Sequence, residues 1–233
     1  MGEWRPFEKE WNNILRKHKA KYLHTTDLMA FQDIYSGWNK PQRDLFLRDC
    51  AKVACKHSAR ADFGGIPGKF GLYCYVVTFV LKDFVEWAKA NPGVPNNVDE
   101  ACMRQSVTRI MNWSIDQADC DHCHFFFDQG EPFLGHLYQW MQNKAALRDA
   151  PYLEKISFKT EADAALTPAL QLADLYAWAQ SHKLIARPPV WQTKLLRSHF
   201  EWQWFDKSNL NDVDASVQDM WRSWNLPKRA TTK

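Results

Sequence analysis

The chain has 233 residues, with 30 Lys+Arg against 27 Asp+Glu and a formal net charge of +3. Charged residues at 24%, hydrophobic residues at 45% and only 9 Gly and 11 Pro exclude collagen-like, low-complexity and wholly disordered chains. A single domain with a sizeable core is the expectation, because a chain of this size buries roughly 70% of its extended surface. The small net charge neither announces nor excludes a nucleic-acid partner.

Taken in chain order, Trp4, Phe7, Trp11 and Leu15 recur at three- and four-residue spacing and predict an amphipathic helix from about residue 3. Tyr22 to Leu28 is short and ambiguous. Asn39-Lys40-Pro41 predicts a helix start, followed by a stripe of Leu45, Cys50, Val53 and His57. Gly64-Gly65 and Pro67-Gly68 punctuate a turn between extended runs. Leu72 to Leu81 predicts a buried strand, which runs into a helix through Phe84, Trp87 and Ala88. Asn91 to Pro95 reads as a loop, and Asp99 to Ile115 as a further helix. Phe125-Phe126-Phe127 reads as a short buried strand. Pro132 opens a helix with Phe133, Leu137, Trp140 and Met141. Ile156 to Phe158 reads as a short strand, and Thr167-Pro168 as the cap and first turn of a helix to about Ile185. Pro188-Pro189 ends this core, and a Trp-rich segment with a basic tail follows.

Strands alternating with helices predict an α/β architecture. The domain reading is a core over residues 1–187 and a Trp-rich C-terminal extension over 188–233. No stretch reaches the 18 or more apolar residues of a membrane helix, so no membrane association is expected. The opening Met-Gly-Glu-Trp-Arg-Pro has no apolar core of the signal-peptide kind, and with six cysteines that do not read as a disulfide framework a reducing cytoplasm is the expectation.

Two acids stand out. Asp128 ends the apolar run Phe125 to Phe127, where open α/β sheets place ligands. Asp174 lies in the small, apolar stretch Leu170 to Ala179, three residues after Gln171 and therefore on the same helical face. A carboxylate in such a helix must be ion-paired, hydrogen-bonded or metal-bound. Glu131 is open to two readings, as a cap of the helix after it or as a third carboxylate. Two carboxylates with a third nearby are the minimum for Mg²⁺ or Mn²⁺, which favour in-line attack on a phosphodiester. His24-Thr25-Thr26-Asp27 adds His24 and Asp27 as pocket neighbours, or as a turn and a packed histidine. Cys120-Asp-His122-Cys123-His124 holds half a zinc box without a second pair, so zinc is not expected. The C-terminal tryptophans, mixed with Lys194, Arg197, His199 and Lys207, suit base stacking, packing or an oligomer interface.

Four segments carry a family resemblance: Trp4-x-x-Phe-x-x-x-Trp11-x-x-x-Leu15, Leu23-His24-Thr-Thr-Asp27-Leu28, Phe125-Phe-Phe-Asp128-Gln-Gly-Glu131, and Pro168-Ala-Leu-Gln171-Leu-Ala-Asp174-Leu-Tyr-Ala-Trp178. In these the chain resembles the widespread bacterial and phage family called domain of unknown function 3800. The resemblance implies a ribonuclease H-like mixed sheet flanked by helices. It also implies metal-binding acids at Asp128 and Asp174, with Glu131, His24 and Asp27 as neighbours. The family's opening strand, with its Asp-Glu-Ser-type motif, has no counterpart before Trp4. Either the start is truncated or this is a variant lacking the first acid; losing that strand would expose a sheet edge for a partner, a second copy or another part of the chain to cover. The expected function is a Mg²⁺- or Mn²⁺-dependent nuclease. The alternative is a catalytically inactive scaffold that binds nucleic acid or protein through residues 188–233.

Overall fold

The computed structural model describes residues 4–58, 74–91, 97–116, 123–128, 153–160, 166–182, 188–197 and 200–212, together with Gly135 and Asp163. The fold is mixed and helix-rich, with few strands, compatible with the α/β expectation. The chain divides into two compact units. The first comprises Met1–Val76 and Phe158–Glu201, the second Val77–Ser157 and Trp202–Lys233. The expected division at 187/188 falls inside the first unit.

The first unit is built on helices. Helix α1 (Trp4–His18) turns Phe7, Trp11, Leu15 and His18 inward, as the spacing predicts. It ends where Lys19 adopts a left-handed φ of 57°. There the Ala20 N–H donates to Leu15 O at 2.9 Å and the Lys19 N–H to Arg16 O at 3.1 Å, which satisfies carbonyls the helix end would orphan. The ambiguous Tyr22–Leu28 stretch leads into the short helix α2 (Thr25–Ala30). Helix α3 (Lys40–His57) starts as expected: Pro41 sits in the first turn and the Asn39 side chain accepts the Gln42 N–H at 3.0 Å.

The buried face of α3 is Phe46, Leu47, Asp49, Cys50, Val53 and Ala54, whereas Leu45 is exposed. Of the predicted stripe, Cys50 and Val53 are buried and His57 packs edge-on against Phe7, so only Leu45 departs from it. Helices α6 (Pro168–Ser181) and α7 (Val190–Arg197) complete this core, into which α7 inserts Trp191 and Leu195. Helix α3 packs on α1 and α7, and α6 packs on α1, α2 and α7. Helix α6 stops at Ser181, short of the predicted Ile185. At its end the Trp178 carbonyl accepts the His182 backbone N–H at 3.1 Å, and the Ser181 hydroxyl and His182 Nδ1 also lie 2.9 Å from it.

The second unit mixes helices with strands, three of which have one end in the residues of the first unit. Strand β1 (Cys74–Phe79) runs into helix α4 (Leu81–Ala90), and helix α5 (Val98–Asp116) follows, capped by the Asn97 side chain on the Asp99 N–H at 2.8 Å. Strand β2 (Cys123–Asp128) pairs with β3 (Leu153–Lys159), and β1 pairs with β4 (Phe200–Phe205). Phe79, Phe84, Ala101, Phe205 and Leu210 form a core in which the Phe79 and Phe205 rings stack at 4.8 Å. The run Phe125–Phe127 is buried on one face only: Phe125 is buried and its ring stacks on Phe127, while Phe126 is 42% exposed. That is the period-two alternation of a half-solvated strand.

The Trp-rich segment divides. Trp191 belongs to a helical core, and Trp202 and Trp204 lie on β4, two residues apart as a strand requires. Trp221, Trp224 and the basic tail lie outside the described residues, as do the Gly64–Gly68 turn and the Pro132 helix. Among the described residues no helix is long and apolar enough to cross a membrane. Cys50, Cys55 and Cys102 carry free thiols.

Candidate functional site

The site around Asp174 begins with a fastening. Helix α6 is apolar except for Gln171, Asp174 and Gln180, and the first two face the segment between α1 and α2. The buried Gln171 Oε1 accepts the Trp11 indole N–H and the Leu23 backbone N–H, both at 2.9 Å. One amide oxygen thus satisfies two buried donors more than 140 residues away in sequence. Gln171, expected as a possible pocket neighbour of Asp174, thus ties the segment between α1 and α2 to α6.

One helical turn on, Asp174 Oδ2 accepts the Thr25 backbone N–H at 2.6 Å. Thr25 opens α2, whose N-cap residue His24 makes no side-chain capping bond. Asp174 thus supplies from another helix the acceptor that α2 lacks. Asp174 is half-buried, and no basic side chain pairs with it among the described residues. The Thr25 Oγ1 beside it is fully buried and has no hydrogen-bond partner among the described residues.

His24 and Asp27 form the pair expected of them, with Nδ1 and Oδ2 2.6 Å apart. An ionised carboxylate can only accept, so the proton sits on Nδ1 and Nε2 is the basic nitrogen of the ring. The Tyr35 hydroxyl accepts the His24 N–H at 3.2 Å and donates to the Tyr22 carbonyl. Burial pushes the Tyr35 phenol far above its ordinary pKa, so it stays a neutral strut. Tyr22 donates to Asp33, and this bond, with a second from the Ile34 N–H, holds the Asp33 carboxyl below its usual range.

Asp128 is the last residue of β2, in the second unit, and its side chain lies outside the described residues, as does Glu131. Cys120 and His122 also lie outside them. Among the described residues, no group of three or more His, Cys, Asp and Glu side chains is placed to hold a metal ion. The donors at Asp174, a carboxylate without a counter-cation and an orphaned hydroxyl, are hard oxygens of the kind Mg²⁺ and Mn²⁺ prefer.

The sequence reading missed one buried ionic cluster in the same unit. Asp49 lies on the inward face of α3 and meets Lys17 at 2.7 Å, His18 at 2.9 Å and Lys52 at 3.7 Å. Burial alone pushes the Asp49 carboxyl up, but the hydrogen bonds from Lys17 and His18 outweigh it and hold the group below its usual range. Its signal was an acid interrupting an apolar stripe, the pattern that singled out Asp174. Comparison of the chain with family models, with curated proteins and with solved structures finds no match.

Proposed function

We propose that the chain is a divalent-metal-dependent phosphodiesterase acting on nucleic acid, on a ribonuclease H-like scaffold, with Asp174 as a metal-binding acid. The observation that carries this reading is the state of Asp174. It is half-buried, it is oriented by the Thr25 N–H, and it has no cationic partner among the described residues. The buried Asp49 of the same unit, by contrast, is met by Lys17 and His18. A bound divalent ion would supply charge for the phosphoryl oxygens and a water of lowered pKa. Thr25 fixes the rotamer of the ligand, and Asp27 orients the imidazole of His24 beside it. The resemblance adds Asp128 as a further metal-binding acid, whose part is read by its own variant.

The test is cleavage of labelled RNA and DNA by the full chain in Mg²⁺, Mn²⁺ or EDTA. Asp174→Asn keeps an oxygen for the Thr25 N–H and removes the charge. It should therefore fold normally and lose on the order of 100-fold or more in rate. Asp128→Asn should do the same. Metal-independent turnover, or full activity in both variants, overturns the reading.

A further inference from the structure

The net charge of +3 conceals an uneven distribution. Across the whole sequence, the first unit carries 18 Lys+Arg against 12 Asp+Glu, a balance of +6, and the second 12 against 15, a balance of −3. The candidate site lies in the basic unit, and so does a cationic stripe on α1. Arg5, Lys9 and Arg16 are exposed and recur, with Asn12, at helical spacing on the face opposite Phe7, Trp11 and Leu15. At 100° per residue these four side chains fall within about 60° of one another.

None of the three cations pairs with an acid among the described residues. Arg16 bonds only to Asn13 Oδ1 and the Asn12 carbonyl, and Glu10 is already occupied by Lys56 at 2.6 Å and His57 at 3.4 Å. Helix stability accounts for Arg16, in the last turn, but not for the whole stripe. Arg5 lies in a first turn that contains no acid, where the helix dipole disfavours a cation. Past the helix end, exposed Lys19 and Lys21 continue the positive charge along the chain into His24.

We infer that the exposed face of α1, continued by Lys19 and Lys21, is the seat of a nucleic-acid strand held through its phosphates. Asn12 and Asn13 add donors for phosphate oxygens between the cations. The face presents no aromatic or aliphatic wedge apart from Pro6, which argues against insertion into a lipid surface. The inference deepens the proposed function by giving its substrate a track toward His24 and Asp174. Its residues are nonetheless separate from the site, and its test does not require cleavage.

The experiment is fluorescence anisotropy of the full chain with a labelled single-stranded RNA and a labelled DNA duplex, without divalent metal, from 50 to 200 mM KCl. The wild-type chain should bind with a steep salt dependence. The triple variant Arg5→Glu, Lys9→Glu, Arg16→Glu should lose at least 10-fold in affinity at low salt. Its log–log salt slope on duplex should fall by about 2–3, since each phosphate contact contributes about 0.9. The neutral triple Arg5→Gln, Lys9→Gln, Arg16→Gln should show an intermediate loss and, as a surface change, keep the wild-type thermal midpoint. Asp174→Asn should bind like the wild type, so a dead but binding variant separates the two readings. Failure of the wild type to bind, unchanged affinity in both triple variants, or binding to phosphatidylserine vesicles but not to nucleic acid overturns the inference.

Discussion

Each unit has its own internal polar ties, and the two sets differ. In the first, Gln171 to Trp11 and Leu23 and Asp49 to His18 are buried ties into a helical core, and Asp174 to Thr25 and Lys17 to Asp49 are partly buried. In the second, the Glu100–Arg104 pair is buried, but others lie at the surface: the Lys207 N–H to Asp83 at 2.9 Å and the Trp87 indole to Asn211 at 3.1 Å. There the stacked rings of Phe79 and Phe205 and the packing of Phe84 supply the cohesion. The same type of bond has unequal weight in the two settings. A buried donor left unpaired keeps its full desolvation penalty, whereas an exposed one returns to water. The first unit also carries the positive charge and the one carboxylate of the site whose surroundings are described.

That contrast can be broken by deletion of single ties. The largest expected effect is Gln171→Leu, which leaves the Trp11 indole and the Leu23 N–H buried and unpaired. It should cost about 2–4 kcal/mol of unfolding free energy in urea titration. A loss below 1 kcal/mol on the same scale would mean that the amide is dispensable.

Asp49 comes next, and its effect depends on pH. Its folded pKa lies below the ordinary carboxylate value, so its stabilisation is fully present above about pH 4 and is lost as pH falls through the lower folded value. Thermal midpoints from pH 7 to pH 2 should therefore show an acid limb that Asp49→Asn flattens. At pH 7 the variant should be weaker by about 1–3 kcal/mol, because His18 loses its buried partner. A parallel acid limb in the variant would place the titration elsewhere.

The smallest effect belongs to the second unit. Asn211→Ala removes the exposed acceptor of the Trp87 indole and should cost under about 1 kcal/mol. A loss as large as that of Gln171→Leu would erase the distinction between the units.

Much of the local structure was legible in the sequence because it rests on short-range physics. The Phe7–Trp11–Leu15 period, the Asn39–Pro41 start and the strand-to-helix passage at Phe79–Phe84 each follow from side-chain spacing and capping within a few residues. Asp174 was legible for the same reason, as an acid in an apolar helix. Strand β4 was not, because a Trp-rich run at spacing two is ambiguous until β1 pairs with it. The alternation in β2 was hidden by three identical phenylalanines. Tyr35 gave no local sign of its place under His24.

The sequence by itself determined the helix periods, the turn and cap chemistry, and the short set of acids worth suspecting. Only the tertiary structure decided what those acids and amides touch. The partners of Gln171 and Asp174 lie about 150 residues away, and no local pattern encodes which backbone N–H a side chain will meet across a folded core. The charge followed the same division. Its sum of +3 was fixed by composition, but its separation into +6 and −3 emerged only when residues 158–201 joined residues 1–76 in one unit.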